Sequence, residues 1–261
     1  QWHLVYEFRH LTVQEYLAAR ALVDRCLPGG PSSRSLAEDV APLAGQLGEG
    51  DSSEVDEIEK VVVESWREPL RLVTALCRPG EVDGVLRAIL TPLPEEPPES
   101  PRARAIQATL CLADEPNAGE ETGRQIVGAL AAATEGKDGR GNWDRTALTL
   151  AAKEIASSRW RAATVQALLD QYFERPAEFR EPAGGMIGLI QADQVPSDDA
   201  GFSAWVVDQA RALEDGDDRQ AAATALAVKR VVFRKSNFST SALAPLANNS
   251  LTSSQAACGS A

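Results

Sequence analysis

The chain has 261 residues, of which 44% are hydrophobic and 25% are charged, a composition typical of soluble globular proteins. Its 38 acidic residues outnumber its 26 basic ones, and the net charge of −12 argues against nucleic acid as a partner. The four cysteines are far apart with no CxxC pair, which excludes a disulfide framework or zinc site and favours a cytoplasmic protein.

The first predicted elements are a strand and a helix. Residues 2–8 place Trp2, Leu4, Tyr6 and Phe8 on one side and His3, Val5 and Glu7 on the other, the period of two of a half-buried strand. Thr12 and Glu15 have the spacing of a capping box, which predicts a helix from residue 12 to about 26, ended by the Pro-Gly-Gly at 28–30. Because the chain starts at Gln1 and enters a strand at once, we expect it to be part of a longer protein.

Helices dominate the rest of the chain, and the predicted fold class is all-α. Five prolines within 91–101 predict a stiff loop there, the best internal boundary. The succession of helices with short connections resembles a HEAT-type α-solenoid, while a compact all-α domain remains the alternative. Helices are predicted at 35–47, 54–66, 68–77, 81–90, 101–115, 119–134, 142–157, 159–174, 182–193, 198–215 and 217–235.

The histidine ahead of the first helix is the main candidate for chemistry. The free amides and the positive dipole end of that helix favour an anion, above all a phosphate. His10 could add a donor N–H or a positive charge toward the same anion. A lone histidine in this position also commonly caps a carbonyl or packs against its neighbours, and spacing alone leaves both interpretations open.

The stretch YEFRHLTVQEYLAARAL resembles the end of the winged-helix domain in NACHT-family NTPases, which are signal-transduction ATPases related to the NOD-like receptors. Val13 departs from the phenylalanine usual in the family, an apolar exchange. Residues 64–77 and 105–115 are similar to later family segments, but more loosely. The matching residues are Phe8, His10, Thr12, Gln14, Glu15, Tyr16, Ala18 and Ala19.

The resemblance implies a role for each part of the chain. His10 would contact the β-phosphate of ADP and hold the closed, inactive state. Residues 1–30 would end the winged-helix domain, 31–100 would form a helical connecting domain, and 101–261 would form HEAT-like repeats. These repeats would sense a protein or other trigger, and bacterial defence against phage is the setting that the resemblance implies. The longer protein would bind ATP or ADP with magnesium and could form an oligomer when active.

The chain itself is not expected to be an enzyme. It has no G-x-x-x-x-G-K-[ST] sequence for a phosphate cradle and no magnesium-binding aspartates after a strand, so it lacks most of a nucleotide site. The alternative function is a helical-repeat scaffold that binds protein partners without a nucleotide switch.

Other segments are weaker candidates. The glycine-rich 136–143 and the acidic 214–218 are interpreted as surface turns rather than as phosphate or calcium loops. The basic 229–235 and the pair Arg102 and Arg104 are interpreted as solvated helix faces, with a local patch for nucleic acid or acidic ligands as the alternative. Core packing is expected for Trp66, Trp143, Trp160 and Trp205.

Overall fold

The structure is a computed structural model that describes residues 11–27, 30–31, 33–49, 60–134, 147–174 and 181–192. Over these residues the chain is mainly α-helical, as predicted, with short antiparallel strand pairs between some of the helices. The strand predicted at 2–8 and the helices predicted at 198–215 and 217–235 lie outside the described residues. None of the described helices has the length and apolar content needed to cross a bilayer.

The described residues contain nine α-helices, which follow the sequence prediction closely from residue 64 onward. The proline-rich residues 91–99 are not helical, as predicted, and Pro101 occupies the first turn of the next helix, where a missing N–H costs nothing. The helices are α1 (Leu11–Val23), α2 (Leu36–Ala44), α3 (Glu64–Leu76), α4 (Val82–Leu90), α5 (Ser100–Ala113), α6 (Glu120–Ala132), α7 (Ala147–Ile155), α8 (Arg161–Glu174) and α9 (Glu181–Ala192).

The ends of α1 differ from the prediction. Leu11 and Thr12 are both helical, so Thr12 lies inside α1 and not at the capping position. It ends at Val23 because Arg25 adopts the left-handed backbone conformation, with φ of 57°, which no helix can continue through. A two-residue strand, β1 (Cys26–Leu27), follows and pairs antiparallel with β2 (Gly30–Pro31).

A complete capping box stands at the start of α2. The Ser35 hydroxyl accepts a hydrogen bond from the Glu38 amide at 3.2 Å, and the Glu38 carboxylate accepts one from the Ser35 amide at 2.6 Å. That amide, together with the Ser35 hydroxyl, lowers the pKa of Glu38. The S-x-x-E capping box places the first residue of α2 at Leu36, one residue after the predicted start at 35.

The prediction of a helix over 54–66 is wrong at residues 60–63. There the chain forms β4 (Lys60–Val62), which pairs antiparallel with β3 (Leu47–Glu49) in the register Leu47 to Val62. Val61 and Val62 are both buried, and β-branched side chains on successive positions suit a strand better than a helix. The β4 strand packs on α5, and α3 begins two residues after it.

The helices contact one another in two alternating rows. The odd-numbered helices pack in succession, α1 on α3, α3 on α5, α5 on α7 and α7 on α9, and the even-numbered helices from α2 to α8 do the same. The α4–α5, α5–α6 and α8–α9 pairs join the rows, and one hydrophobic core runs from Ala19 to Ile190. Every residue from Ala103 to Leu112 is buried, so α5 is surrounded on all sides.

Arg104 of α5 has no exposed surface and is the most unusual member of this core. Its guanidinium forms a two-point ion pair with Glu96, of which the Nε to Oε2 bond is 2.7 Å long. Its other N–H groups donate to three carbonyls near the ends of α2 and α4, those of Ala41 at 2.7 Å, Ala88 at 3.0 Å and Ile89 at 2.9 Å. These bonds join the segments 31–100 and 101–261, which the sequence analysis assigns to different regions.

The interpretation of Arg102 and Arg104 as part of a solvated helix face is therefore wrong for Arg104. All five of its N–H donors are used inside the protein, so Arg104 is not available to a phosphate or an acidic ligand. Arg102 is half-buried and donates to the Ala133 carbonyl at 2.8 Å.

Candidate functional site

The described part of the candidate motif lies on α1. His10 and Phe8 are outside the described residues, so the placement of His10 beside a helix terminus stays a prediction. Thr12, Gln14 and Tyr16 are exposed, Glu15 and Ala18 are half-buried, and Ala19 is fully buried.

The α1 helix has two apolar faces. Ala19 and Leu22 are 0% and 4% exposed and belong to the core that α1 shares with α3. Val13, Tyr16 and Leu17, at the i, i+3, i+4 spacing of a single helix face, are 43%, 45% and 43% exposed. The apolar side chains of this helix therefore lie on two faces, of which one is packed on the array and the other is open.

Polar contacts fix the carboxyl end of α1 against the array. Arg20 forms an ion pair with Asp24 at 2.8 Å, one turn further along. Arg25 donates to the Arg34 carbonyl at 2.9 Å and reaches the Glu81 carboxylate, just before α4, at 3.3 Å. The contact with Glu81 anchors the end of α1 to the start of α4.

An open cleft of about 480 Å³ lies at this junction, lined by Val23, Asp24, Arg25, Arg78 and Glu81. Its two guanidinium groups are matched by two carboxylates, so the lining residues carry no net charge. The cleft therefore has no electrostatic preference for anions over cations, and we assign it no ligand.

A cluster of charged side chains lies on the odd-numbered row of helices, where one guanidinium contacts three carboxylates. Arg71 of α3 binds Asp114 at the end of α5 through two hydrogen bonds of 2.7 and 2.6 Å. It also contacts Glu68 at 3.2 Å and Glu154 of α7 at 3.0 Å. The Asp114 carboxylate raises the pKa of Arg71 above its ordinary value, while burial raises the pKa of Glu154 despite the guanidinium beside it.

The buried cysteines do not provide a nucleophile. Burial raises the pKa of Cys77 to about 11 and that of Cys111 to about 12, so both thiols are protonated at neutral pH. In the part of the chain that the structure describes, no group of three histidine, cysteine or acidic side chains could hold a metal ion. Trp160 is buried, as predicted, and Trp66 is half-buried against the core.

Several candidates from the sequence lie outside the described residues. These are the glycine-rich, acidic and basic segments 136–143, 214–218 and 229–235, together with Trp143 and Trp205. The sequence does not predict the Arg71 group, because Asp114 lies 43 residues from Arg71, Glu154 lies still further along the chain, and no local pattern links them. The sequence also gives no signal for the burial of Arg104, whose carbonyl partners come from α2 and α4.

Comparison with known proteins gives no further assignment: no family model, no curated protein and no solved structure matches the chain.

Proposed function

We propose that the chain is a regulatory segment of a NACHT-type signal-transduction NTPase. In this proposal α1 couples a sensing array of helices to a nucleotide-binding core that lies upstream in the same protein. The chain binds the trigger and controls the switch, while the upstream core supplies the ATP, ADP and magnesium sites.

The observation that carries the proposal is the division of α1 into two apolar faces. One face is packed into the array through Ala19 and Leu22, so a displacement of α1 must be transmitted to α3. The other face presents Val13, Tyr16 and Leu17, three large apolar side chains that are exposed next to one another, and adjacent exposed apolar groups of this kind mark interaction surfaces. A helix that connects two bodies needs one such face for each of them.

The occupant that we propose for the open face is the rest of the winged-helix domain, which in this proposal lies upstream of residues 1–10 in the same protein. Residues 1–10 precede α1 directly and carry Trp2, Leu4, Tyr6 and Phe8 at alternating positions. The resemblance assigns these residues and α1 to the end of one winged-helix domain, in which the open face of α1 would pack on the upstream part of that domain. His10 would then stand between that core and the bound ADP.

The sensing role rests on the arrangement of the helices in two rows. Within each row a helix contacts the helix two positions along the chain, as α3 contacts α5 and α5 contacts α7. Contacts of this kind between neighbouring units are typical of an α-solenoid. We therefore infer a HEAT-like solenoid whose rows present extended surfaces to a protein trigger. Bacterial immunity is the biological setting that the family resemblance suggests.

The decisive experiment is nucleotide release from the full-length protein. We expect His10→Ala to accelerate the release of bound fluorescent ADP about tenfold or more, because a hydrogen bond to a charged group contributes about 1.5–3 kcal/mol. His3→Ala is the matched control, since His3 is the only other histidine in the chain, and it should leave the release rate unchanged. Equal rates in both variants would remove the role of His10.

The second candidate function is a helical scaffold that binds partners without a switch. The exposed apolar face of α1 is compatible with this function too, because a separate protein could cover it. The two proposals differ in their response to nucleotide. If the scaffold proposal is right, partner binding by the full-length protein is the same with ADP, with ATP and without nucleotide.

A further inference from the structure

The Arg71 group connects three helices of the same row. Arg71 and Glu68 belong to α3, Asp114 follows the last residue of α5, and Glu154 lies near the end of α7. Both α3 and α7 pack on α5, and the ion pair between Arg71 and Glu154 joins them across it. The relative positions of α3 and α7 therefore depend in part on one guanidinium.

The partners of Arg71 hold it in different ways. Asp114 forms two parallel bonds of 2.7 and 2.6 Å, the geometry in which a guanidinium binds a carboxylate most strongly. Glu154 has a single contact of 3.0 Å to the Nη2 atom, which Asp114 also binds. With three carboxylates and one cation the group has a net charge of −2, so each carboxylate weakens the binding of the others.

We propose that Glu154 is the releasable arm of a clasp centred on Arg71, and that release of this arm lets α7 move while Asp114 keeps α3 and α5 together. The cost of burying Glu154 opposes its attraction to Arg71, and its pKa is raised as a result. Salt, acid or a cationic group of a partner can therefore break the Arg71–Glu154 ion pair before it breaks the Arg71–Asp114 pair.

The charged groups that act on Glu154 come from α3 and from the end of α5. Arg71 and Glu68 face it from α3 and Asp114 faces it from the end of α5. The other helix packed on α7 is α9, whose one charged residue, Glu181, is at its first position. Among the described residues, Arg71 is thus the cation that contacts Glu154. The clasp works independently of the nucleotide switch proposed above.

The test is hydrogen–deuterium exchange of the chain, followed separately over α3, α5 and α7. We expect Glu154→Ala to speed amide exchange in α7 about two- to fivefold, the effect of losing a partly exposed ion pair, and to leave α3 and α5 unchanged. Alanine is the strongest helix former, so faster exchange cannot come from reduced helix propensity. Asp114→Ala should instead speed exchange in α3 and α5.

Two controls make the result specific. Glu120→Ala removes a glutamate from an exposed pair with Arg124 on α6 and should leave α7 unchanged. Raising the salt concentration from 0.05 to 0.5 M should speed exchange in α7 of the original chain but not in the Glu154→Ala variant, because only the original retains the arm. Unchanged exchange in α7 of Glu154→Ala, or an equal increase over all three helices, would overturn the proposal.

Discussion

Gly45, directly after α2, lies against the carboxyl group of Glu96 with no room for a methyl group between them. A Cβ atom at Gly45 would come within 2.7 Å of the Glu96 carboxyl carbon and 2.9 Å of the Arg104 Nη2 atom. The backbone of Gly45 is in the ordinary right-handed region, with φ of −86°, so a close approach and not a special conformation requires glycine here. The buried ion pair is thus closed on one side by main chain.

Gly45→Ala should destabilise the protein. The added methyl group must displace an ion pair that is held by several hydrogen bonds, and overpacking of this kind costs about 1–3 kcal/mol of unfolding free energy. Urea denaturation followed by circular dichroism measures the loss. Gly80→Ala is the control, because a Cβ there meets no atom within 4 Å, and an equal effect at both positions would contradict the packing argument.

Arg104→Met should be more damaging than Gly45→Ala. The substitution leaves the Glu96 carboxylate and three carbonyls without their donor inside the protein, and breaking a buried pair costs about 3–5 kcal/mol. Removing the unpaired charge as well, in Arg104→Met with Glu96→Leu, should recover part of that stability. Arg124→Met, in an exposed pair, is the control and should change stability by less than about 1 kcal/mol.

The ion pair also predicts how stability changes with pH. The Arg104 guanidinium lowers the pKa of Glu96 below its ordinary value of 4.5. A lowered pKa means that the folded protein holds this proton less tightly than the unfolded chain, so the pair stabilises the fold fully above pH 4.5 and is lost as the pH falls through the folded-state pKa.

Urea denaturation at several pH values between 7 and 3 tests this sign. The original chain should lose stability below about pH 4.5 more steeply than Glu96→Gln, whose amide does not titrate in this range. Parallel curves for the two proteins would show that other carboxylates account for the acid sensitivity.

The sequence predicts most of the helices because their signals are local. Turn residues at 78–80 and prolines at 91–99 separate α3, α4 and α5, and apolar periodicity places each helix within a few residues. Val61 and Val62 were assigned to a helix because their strand partner lies across a gap of more than ten residues. The end of α1 was missed because arginine rarely takes the left-handed conformation that glycine usually supplies.

The candidate site was less predictable. The sequence indicates that α1 is apolar along Val13, Tyr16 and Leu17, but only packing shows that these side chains are open while Leu22 is buried. The partners of Arg71 and Arg104 come from distant parts of the chain, and no periodicity connects them.

The two faces of α1 can be separated with one pair of matched substitutions. Leu22→Ala removes a side chain that is 4% exposed and should lower the free energy of unfolding by about 2–5 kcal/mol. Leu17→Ala, on the same helix, removes one that is 43% exposed and should change the stability of this chain by about 0.5 kcal/mol or less. The same side chain is removed in both, so position alone accounts for the difference.

In the full-length protein the expected effects of the two substitutions diverge further. If the open face of α1 docks on the winged-helix part and the nucleotide core, Leu17→Ala should speed ADP release although this chain keeps its stability. Both the ADP release rate and the urea denaturation curve should be measured for each variant. General unfolding would speed ADP release only in variants that also lose stability, whereas the proposal predicts faster release without a loss of stability. If Leu17→Ala leaves the ADP release rate unchanged while His10→Ala increases it, then His10 contacts the nucleotide but α1 does not couple the nucleotide site to the helical array.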